Sequence, residues 1–388
     1  MNRVFICGYF NFPRGGAAAN YVQSFAKVFL RLGKNVIVIS NINHNIKLEG
    51  NKYQEIQVEN VQLREDKLGH YIDFNFLMGK YYEQILSGLS VDCSDLIIAY
   101  SRDSFILNSV LKIGKKVGAK TGVCLVEWFE KKDYGKWFRN VEYWKSQISF
   151  YRVNLKFDYI FPISTYIEGY YKKKNCKTFR LPSLVDTEEF EYNEKKITDK
   201  RIFIFPGNGK MKDALEETIQ AFALLRDEEV LKLEFHICGV GKLAKQIIKE
   251  NKLENSPAGK IVIHEWMPYE ELIDLYRRAH FMILARDISR MTLANFPSKI
   301  PETLSYGIIP ICSRVGDYTK LYLMDGVNSL IMDGCDVQTI LHGIRRALAM
   351  SDQDIINYSN KCRITAETKF DYKQWVKPLD KFLEKEVL

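Results

Sequence analysis

Residues 3–40 read RVFICGYFNFPRGGAAANYVQSFAKVFLRLGKNVIVIS, and this stretch decides the fold. Arg3 to Gly8 is a short apolar run of strand character. From Ala17 to Leu32 the apolar residues Tyr21, Val22, Phe25, Val28, Phe29 and Leu32 recur at helical spacing. Gly33 stops that helix, and Asn35 to Ser40 (NVIVIS) is strand-like again. Strand, helix, strand at this spacing predicts a parallel pair with a right-handed crossover.

The alternation continues outward. Further strands are expected at 96–100 (LIIAY), 121–127 (TGVCLVE) and 159–163 (YIFPI). A second series begins near Arg201. Strands are expected at 202–206, 232–238, 261–266, 281–285 and 309–313. Helices are expected at 213–225, from about Lys242, and at 269–278. The polar stretch Thr187 to Lys200 between the two series reads as a linker. With 388 residues, more than one core usually holds, two domains are expected: 1–190 and 191–369, with 370–388 as a closing helix. Both are doubly wound α/β units, which bind ligands outside the carboxyl ends of their strands.

Composition excludes several classes. Hydrophobic residues make up 46% and charged residues 27%, which argues against disorder. No run of about 18 apolar residues occurs, so no spanning helix is expected. The N-terminal apolar piece, Val4 to Cys7, is too short for a signal peptide, and a cytoplasmic location is the expectation. Eight cysteines are scattered without a C-x-x-C pair, and the histidines lack paired spacing, so neither a disulfide framework nor a zinc site is expected. The net charge of +8 favours an anionic partner.

Three loops after expected strands carry the chemistry. Gly8 to Gly16 ends in Gly15-Gly16 and opens a helix, which suits close approach of a phosphate; a plain turn is the alternative. The stretch 207–213, GNGKMKD, places Lys210 and Lys212 where they can neutralise a diphosphate, yet it lacks the ending of a Walker A loop. The third, 294–310, reads ANFPSKIPETLSYGIIP. Ser298 is a natural N-cap, and Ser298-Lys299-Ile300 forms a helix start that attracts anions. Glu302 follows three residues after Lys299 on nearly the same face, where a carboxylate can accept from two neighbouring hydroxyls such as those of a ribose. Simple helix capping is the alternative.

This last stretch resembles the donor-binding segment of glycosyltransferase family 4, the retaining GT-B enzymes, which carry P-x-K-x-x-E, a small helix, Gly, and a strand opening with Pro. Gly15-Gly16, the 181–190 segment LPSLVDTEEF, the Gly207–Lys212 loop, Gly239-Val240-Gly241 and the 325–330 segment DGVNSL resemble the family's other landmarks, in the same order. The resemblance implies a GT-B fold, two Rossmann-like domains facing a central cleft. It implies a metal-independent enzyme that moves a sugar from a nucleotide donor, as a UDP- or GDP-sugar, to a glycan or lipid-linked hydroxyl in cell-surface polysaccharide assembly. Lys299 and the neighbouring amides would hold the diphosphate, Glu302 the ribose, Lys212 the phosphates and Trp266 the base. The sequence departs from the family at two places. Ala294 stands where an acid usually meets the donor sugar, and Asn208 where an arginine is common. Arg286 is a candidate for that missing charge, with a surface pair to Asp287 as the alternative. Glu127, after the 121–127 strand, occupies a family position facing donor and acceptor, where it can orient or deprotonate the acceptor hydroxyl; a helix cap is the alternative.

Beyond the site, Trp137, Val141, Trp144 and Ile148 fall on one helical face. With Lys172-Lys173-Lys174 they suit contact with anionic headgroups, with core burial and solvated charge as the alternatives. Nucleic acid is not an expected partner. The one D-x-D, Asp352-Gln353-Asp354, follows Ser351 at a helix start, where acids belong for capping. Two rivals remain: a sugar-nucleotide epimerase of the same fold, and a non-catalytic scaffold of a polymer-assembly complex. The spacing of a nicotinamide-binding fingerprint is absent.

Overall fold

The computed structural model describes residues 1–136, 140–207, 212–265 and 267–385. The chain divides into two units. Met1–Val185 and Tyr372–Leu388 form the first, and Asp186–Asp371 the second. The boundary, between Val185 and Asp186, falls five residues before the expected 190/191 division, because the polar stretch from Thr187 to Lys200 packs onto the second unit rather than spanning freely.

The first unit holds a seven-stranded sheet of order β3-β4-β2-β1-β5-β6-β7. Its strands are β1 (Arg3–Phe12), β2 (Asn35–Ile42), β3 (Lys52–Tyr53), β4 (Ile56–Asn60), β5 (Leu96–Ala99), β6 (Lys120–Leu125) and β7 (Tyr159–Pro162). All pairs are parallel except β3 with β4. Its helices are α1 (Ala17–Arg31), α2 (Lys67–Ile72), α3 (Met78–Gly88), α4 (Ser104–Val117), α5 (Val141–Ile148) and α6 (Thr165–Lys172). A π turn, Asp73–Leu77, joins α2 to α3. The first βαβ unit forms as expected: Val22, Phe25, Val28 and Phe29 of α1 are fully buried. β1 runs four residues past Gly8, so only Pro13 to Gly16 remains as loop before α1. The closing helix, Val376–Glu384, packs Phe382 edge-on against Tyr159 of β7, 5.6 Å between centroids.

The second unit holds a six-stranded parallel sheet of order β10-β9-β8-β11-β12-β13. Its strands are β8 (Arg201–Pro206), β9 (Leu233–Cys238), β10 (Val262–His264), β11 (Phe281–Leu284), β12 (Ile309–Ser313) and β13 (Leu330–Met332). Its helices are α7 (Leu215–Ala223), α8 (Asp227–Val230), α9 (Gly241–Glu250), α10 (Tyr269–Arg278), α11 (Arg290–Ala294), α12 (Lys299–Ser305), α13 (Val337–Leu348) and α14 (Asp352–Thr365). Ser351 caps α14 through a reciprocal box with Asp354, while Asp352 pairs with Arg201, so both D-x-D acids are engaged within the fold. Arg363 of α14 donates to the carbonyls of Thr187, Phe190 and Ser305, fixing the polar stretch to the end of α12. Among the described residues no helix is long and apolar enough to cross a membrane.

In both sheets the strand order reverses beside a central strand, between β1 and β5 and between β8 and β11. Such reversals open a crevice at the carboxyl ends of the two strands.

Beneath the second sheet lies a group that ties stability to pH. His280 is buried at the entry to β11, and its Nδ1 accepts the Ile202 amide at 2.9 Å. Burial lowers its pKa to about 4, with Lys195 and Arg201 opposing a further charge and the Lys196 carbonyl favouring it. Between about pH 6.5 and 4 the unfolded chain therefore binds the proton and the folded chain does not, so acid destabilises. The unit is expected to lose about 2 kcal/mol from this group by pH 5. A His280→Asn variant, whose amide oxygen can still accept from Ile202, is expected to show a flatter melting temperature between pH 7 and 5. An unchanged slope would remove His280 as the cause.

Candidate functional site

The crevice of the second unit is built around a buried carboxylate. Gly207 follows β8 with φ +133°, a conformation that favours glycine. A Cβ there would collide with the Lys299 ammonium, so the missing side chain is the space the lysine occupies. A few residues on, Asp213 turns inward, and the Ala214 amide donates to the Ala285 carbonyl at 2.9 Å, tying this loop to the end of β11. Asp213 then accepts from Arg286 Nε at 2.7 Å and from Lys299 Nζ at 2.9 Å.

Each partner is held in turn. Arg286 donates its amide to Ser313 Oγ at 2.9 Å and its Nη1 to Asn295 Oδ1 at 3.2 Å. Ser313 Oγ passes a hydrogen bond to the Gly334 carbonyl at 2.7 Å. Lys299 Nζ lies 5.7 Å from the Phe205 ring centroid. The side chains of Asp213 and Arg286 are each 2% exposed, and that of Lys299 18%. Burial pulls the Lys299 pKa down and Asp213 holds it up, with Arg286 and Lys212 lowering it further; the net direction is down. Burial works against the ionised Asp213, but Arg286 and Lys299 outweigh it, and its pKa falls below the usual carboxylate range. Two cations thus share one carboxylate, and the buried cluster carries one positive charge in excess.

The start of α12 differs from its expected form. Ser298 has helical dihedrals (φ −59°, ψ −24°), and its side chain caps nothing. A side-chain N-cap needs an extended backbone to reach the next amides, which Ser298 lacks. The turn is tightened by backbone instead: the Pro297 carbonyl accepts from the Ile300 amide at 3.1 Å and the Ser298 carbonyl from Glu302 at 3.3 Å. Among the described residues the amides of Ser298 and Lys299 find no hydrogen-bond partner. Ile300 is fully buried and Glu302 half-buried one turn along. Arg286 also departs from its expected alternative, since it pairs with buried Asp213 rather than with Asp287 at the surface. Asn208 and Trp266 lie outside the described residues.

In the first unit, the crevice beside β1 and β5 is a cavity of about 280 Å³. Tyr9, Phe74 and Tyr100 give it aromatic walls, and Glu127 stands half-buried at its edge just past β6. Burial, with the Glu127 carboxylate adding to it, pushes the Tyr100 phenol well up. The cavity's other charges are already paired, Lys145 with Asp103 at 2.6 Å and Arg102 with Glu142 at 3.1 Å. Gly16 opens α1 at φ +101°, and a Cβ there would meet open space, while one on Gly15 would strike the Asn11 carbonyl. Gly15, Gly16 and Glu127 thus belong to the first unit, and Lys212, Arg286 and Ser298 to Glu302 to the second.

Asp213 was not legible as a site residue, since it reads as the first acid of a helix. Its one signal is its position: a lone carboxylate closing a loop with two lysines, directly after a strand.

The family described as Glycosyl transferases group 1 matches residues 186–369. No curated protein matches the chain in sequence. Among solved structures, sucrose-phosphate synthase from Thermosynechococcus elongatus is 12% identical, with a TM-score of 0.79 over 100% of this chain and 99% of that one. WaaG, a glycosyltransferase involved in lipopolysaccharide biosynthesis, is 12% identical, with a TM-score of 0.69 over 98% and 99%. HepE from Anabaena, solved in complex with UDP-glucose, is 12% identical, with a TM-score of 0.68 over 99% and 100%. At such identities the likeness establishes the fold, GT-B, and the match of residues 186–369 to the glycosyl transferases group 1 makes the chain a glycosyltransferase.

Proposed function

We propose that the chain transfers a sugar from a nucleotide-sugar donor to a hydroxyl of a glycan or lipid-linked acceptor, with retention of configuration, in the assembly of a cell-surface polysaccharide. The observation that carries this reading is the excess positive charge in the buried cluster at the β8/β11 crevice. Lys299 is its least buried member and stands at the start of α12, where the Ser298 and Lys299 amides have no partner among the described residues. A diphosphate supplies the missing negative charge, and these fixed donors stabilise the charge that grows on it as the glycosidic bond breaks. Glu302, one turn further, suits the ribose hydroxyls. HepE, which shares the fold, binds UDP and UDP-glucose, which favours a uridine donor here. In the first unit, Glu127 at the edge of an aromatic-walled cavity is suited to orient the acceptor hydroxyl. The chemistry asked of the protein is electrostatic, and a metal ion is not part of the proposal.

The test is thermal denaturation against UDP, GDP, UDP-glucose and AMP. A uridine diphosphate at about one hundred times its Kd is expected to stabilise by about 2.7 kcal/mol, and AMP not at all. No shift with any diphosphate would sink the donor site. Incubating UDP-sugars without acceptor separates the rivals. Free UDP together with an altered sugar would mean epimerisation, and tight binding without turnover under any acceptor would mean a scaffold.

A further inference from the structure

The first unit carries a helix with an apolar row on its outer side. α5 continues through a π turn, Ser149–Val153, and a short 3-10 turn, Asn154–Lys156, as one helical stretch. Its buried side is mixed, with polar groups set among Tyr143, Phe150 and Val153. Lys145, Ser146, Ser149 and Asn154 are all buried. Lys145 is paired with Asp103, Ser149 donates to the Arg102 carbonyl at 2.9 Å, and Asn154 donates to the Tyr171 hydroxyl at 3.0 Å. Its outer side is apolar: Trp144, Ile148, Tyr151 and Leu155, one per turn, are between 37% and 47% exposed. A surface helix of a water-soluble domain ordinarily keeps so continuous an apolar row off its outer side. The expected face is therefore real at Trp144 and Ile148, while Trp137 lies outside the described residues.

The charge beside this stripe is predominantly positive. Residues 141–181 hold eight lysines and arginines against three acids. Arg152 and Lys156 are exposed within the stretch itself and have no acidic partner among the described residues. Tyr151 meets Tyr170 of α6 edge-on at 6.2 Å, and Lys174 sits 5.1 Å from the Tyr170 ring centroid. This contact joins the stripe to the exposed run Lys172-Lys173-Lys174.

We propose that this face docks on an anionic lipid bilayer, with Trp144, Ile148, Tyr151 and Leu155 entering the headgroup boundary and the lysines lying among the anionic headgroups. An apolar stripe bordered by basic residues and amphipathic rings matches such an interface in both of its properties. A second copy of the chain fits less well, because a two-fold contact here would set like charges against each other. The inference deepens the proposed reading by giving the surface where a lipid-linked acceptor is met, and it rests on different residues from the donor site.

The test is co-sedimentation of the whole chain with vesicles of phosphatidylcholine alone and with about 30 mol % phosphatidylglycerol. The protein is expected to pellet with the anionic vesicles and release as salt rises. The double variant Trp144→Ser/Ile148→Ser, at exposed positions, is expected to bind at least about tenfold more weakly. Lys172→Gln/Lys173→Gln/Lys174→Gln is expected to lose the preference for anionic lipid. Both should keep the wild-type melting temperature and its response to UDP, so that failure of the docking face and failure of the donor site remain distinguishable. Absence of wild-type binding, or equal binding by the double variant, would overturn the proposal. A dimer in sedimentation equilibrium that the same two substitutions dissolve would overturn it in favour of a self-association face.

Discussion

Alanine at Lys299 is expected to lower kcat/KM for the nucleotide sugar by about a hundred- to a thousandfold, while leaving the fold intact. The ammonium is the one member of the buried cluster that reaches toward solvent, and it does so over a glycine that makes room for it. Removing it takes away a positioned donor whose worth is greatest when charge accumulates on the departing diphosphate. Loss should therefore be larger in kcat than in donor affinity. The alanine itself leaves Asp213 paired with Arg286, so the melting temperature should change little. Lys299→Arg tests geometry rather than charge, because a planar fork cannot sit where a compact ammonium lies against Gly207. Steady-state kinetics at saturating acceptor checks the set, and near-normal turnover in the alanine variant would refute the assignment.

The second large effect is on stability. Asp213→Ala leaves Arg286 and Lys299 buried without their shared counter-ion, and breaking a buried pair by removing one member typically costs about 3–5 kcal/mol. The second unit should melt roughly 10 °C lower. The sign of a further response identifies the cause. The two uncompensated cations are then a stronger anion trap than in the wild type, so phosphate or UDP should recover more of the variant's stability than it adds to the native chain. An equal increment in both proteins would mean that Asp213 does not neutralise the cluster, and the electrostatic account of the site would fail with it.

The contrast between Lys299 and Asp213 shows how far the sequence can be read. The βαβ periodicity from Arg3 to Ser40 predicts its elements to within a few residues, because a strand buried on both faces and a helix buried on one leave different apolar spacings. Lys299 is visible because a cation at a helix start has a local rationale. Asp213 is not, because its partner Arg286 follows β11, which lies beside β8 only after the sheet has formed. The side-chain cap expected of Ser298 failed for a similar reason: the local signal was correct in type, but the chain from Asn295 to Pro297 delivers Ser298 in a helical conformation. Three strands lie outside the expected set: β3 and β13, whose two and three residues carry no measurable period, and β4, whose five residues IQVEN hold only two aliphatic side chains. The spacing of Trp144 and Ile148 puts them on one face, yet the burial of Lys145 and Asn154 on the other side becomes visible only when Asp103 and Tyr171 are seen to meet them.

One feature of the chain's path bears on how the molecule can be dissected. Asp186 and Asp371 are the ends of the second unit, and they are neighbours in space: the Thr187 amide donates to the Asp371 carboxylate at 3.1 Å. On the other side of the same junction, the Tyr372 amide donates to the Val185 carbonyl at 2.9 Å. The second unit is thus a continuous insert whose ends are pinned together, and it can be excised as a single fragment with its termini already closed. The first unit is discontinuous in sequence. Truncating the chain after Asp371 would spare the unit just upstream of the cut and strip the closing helix from the one that begins at Met1.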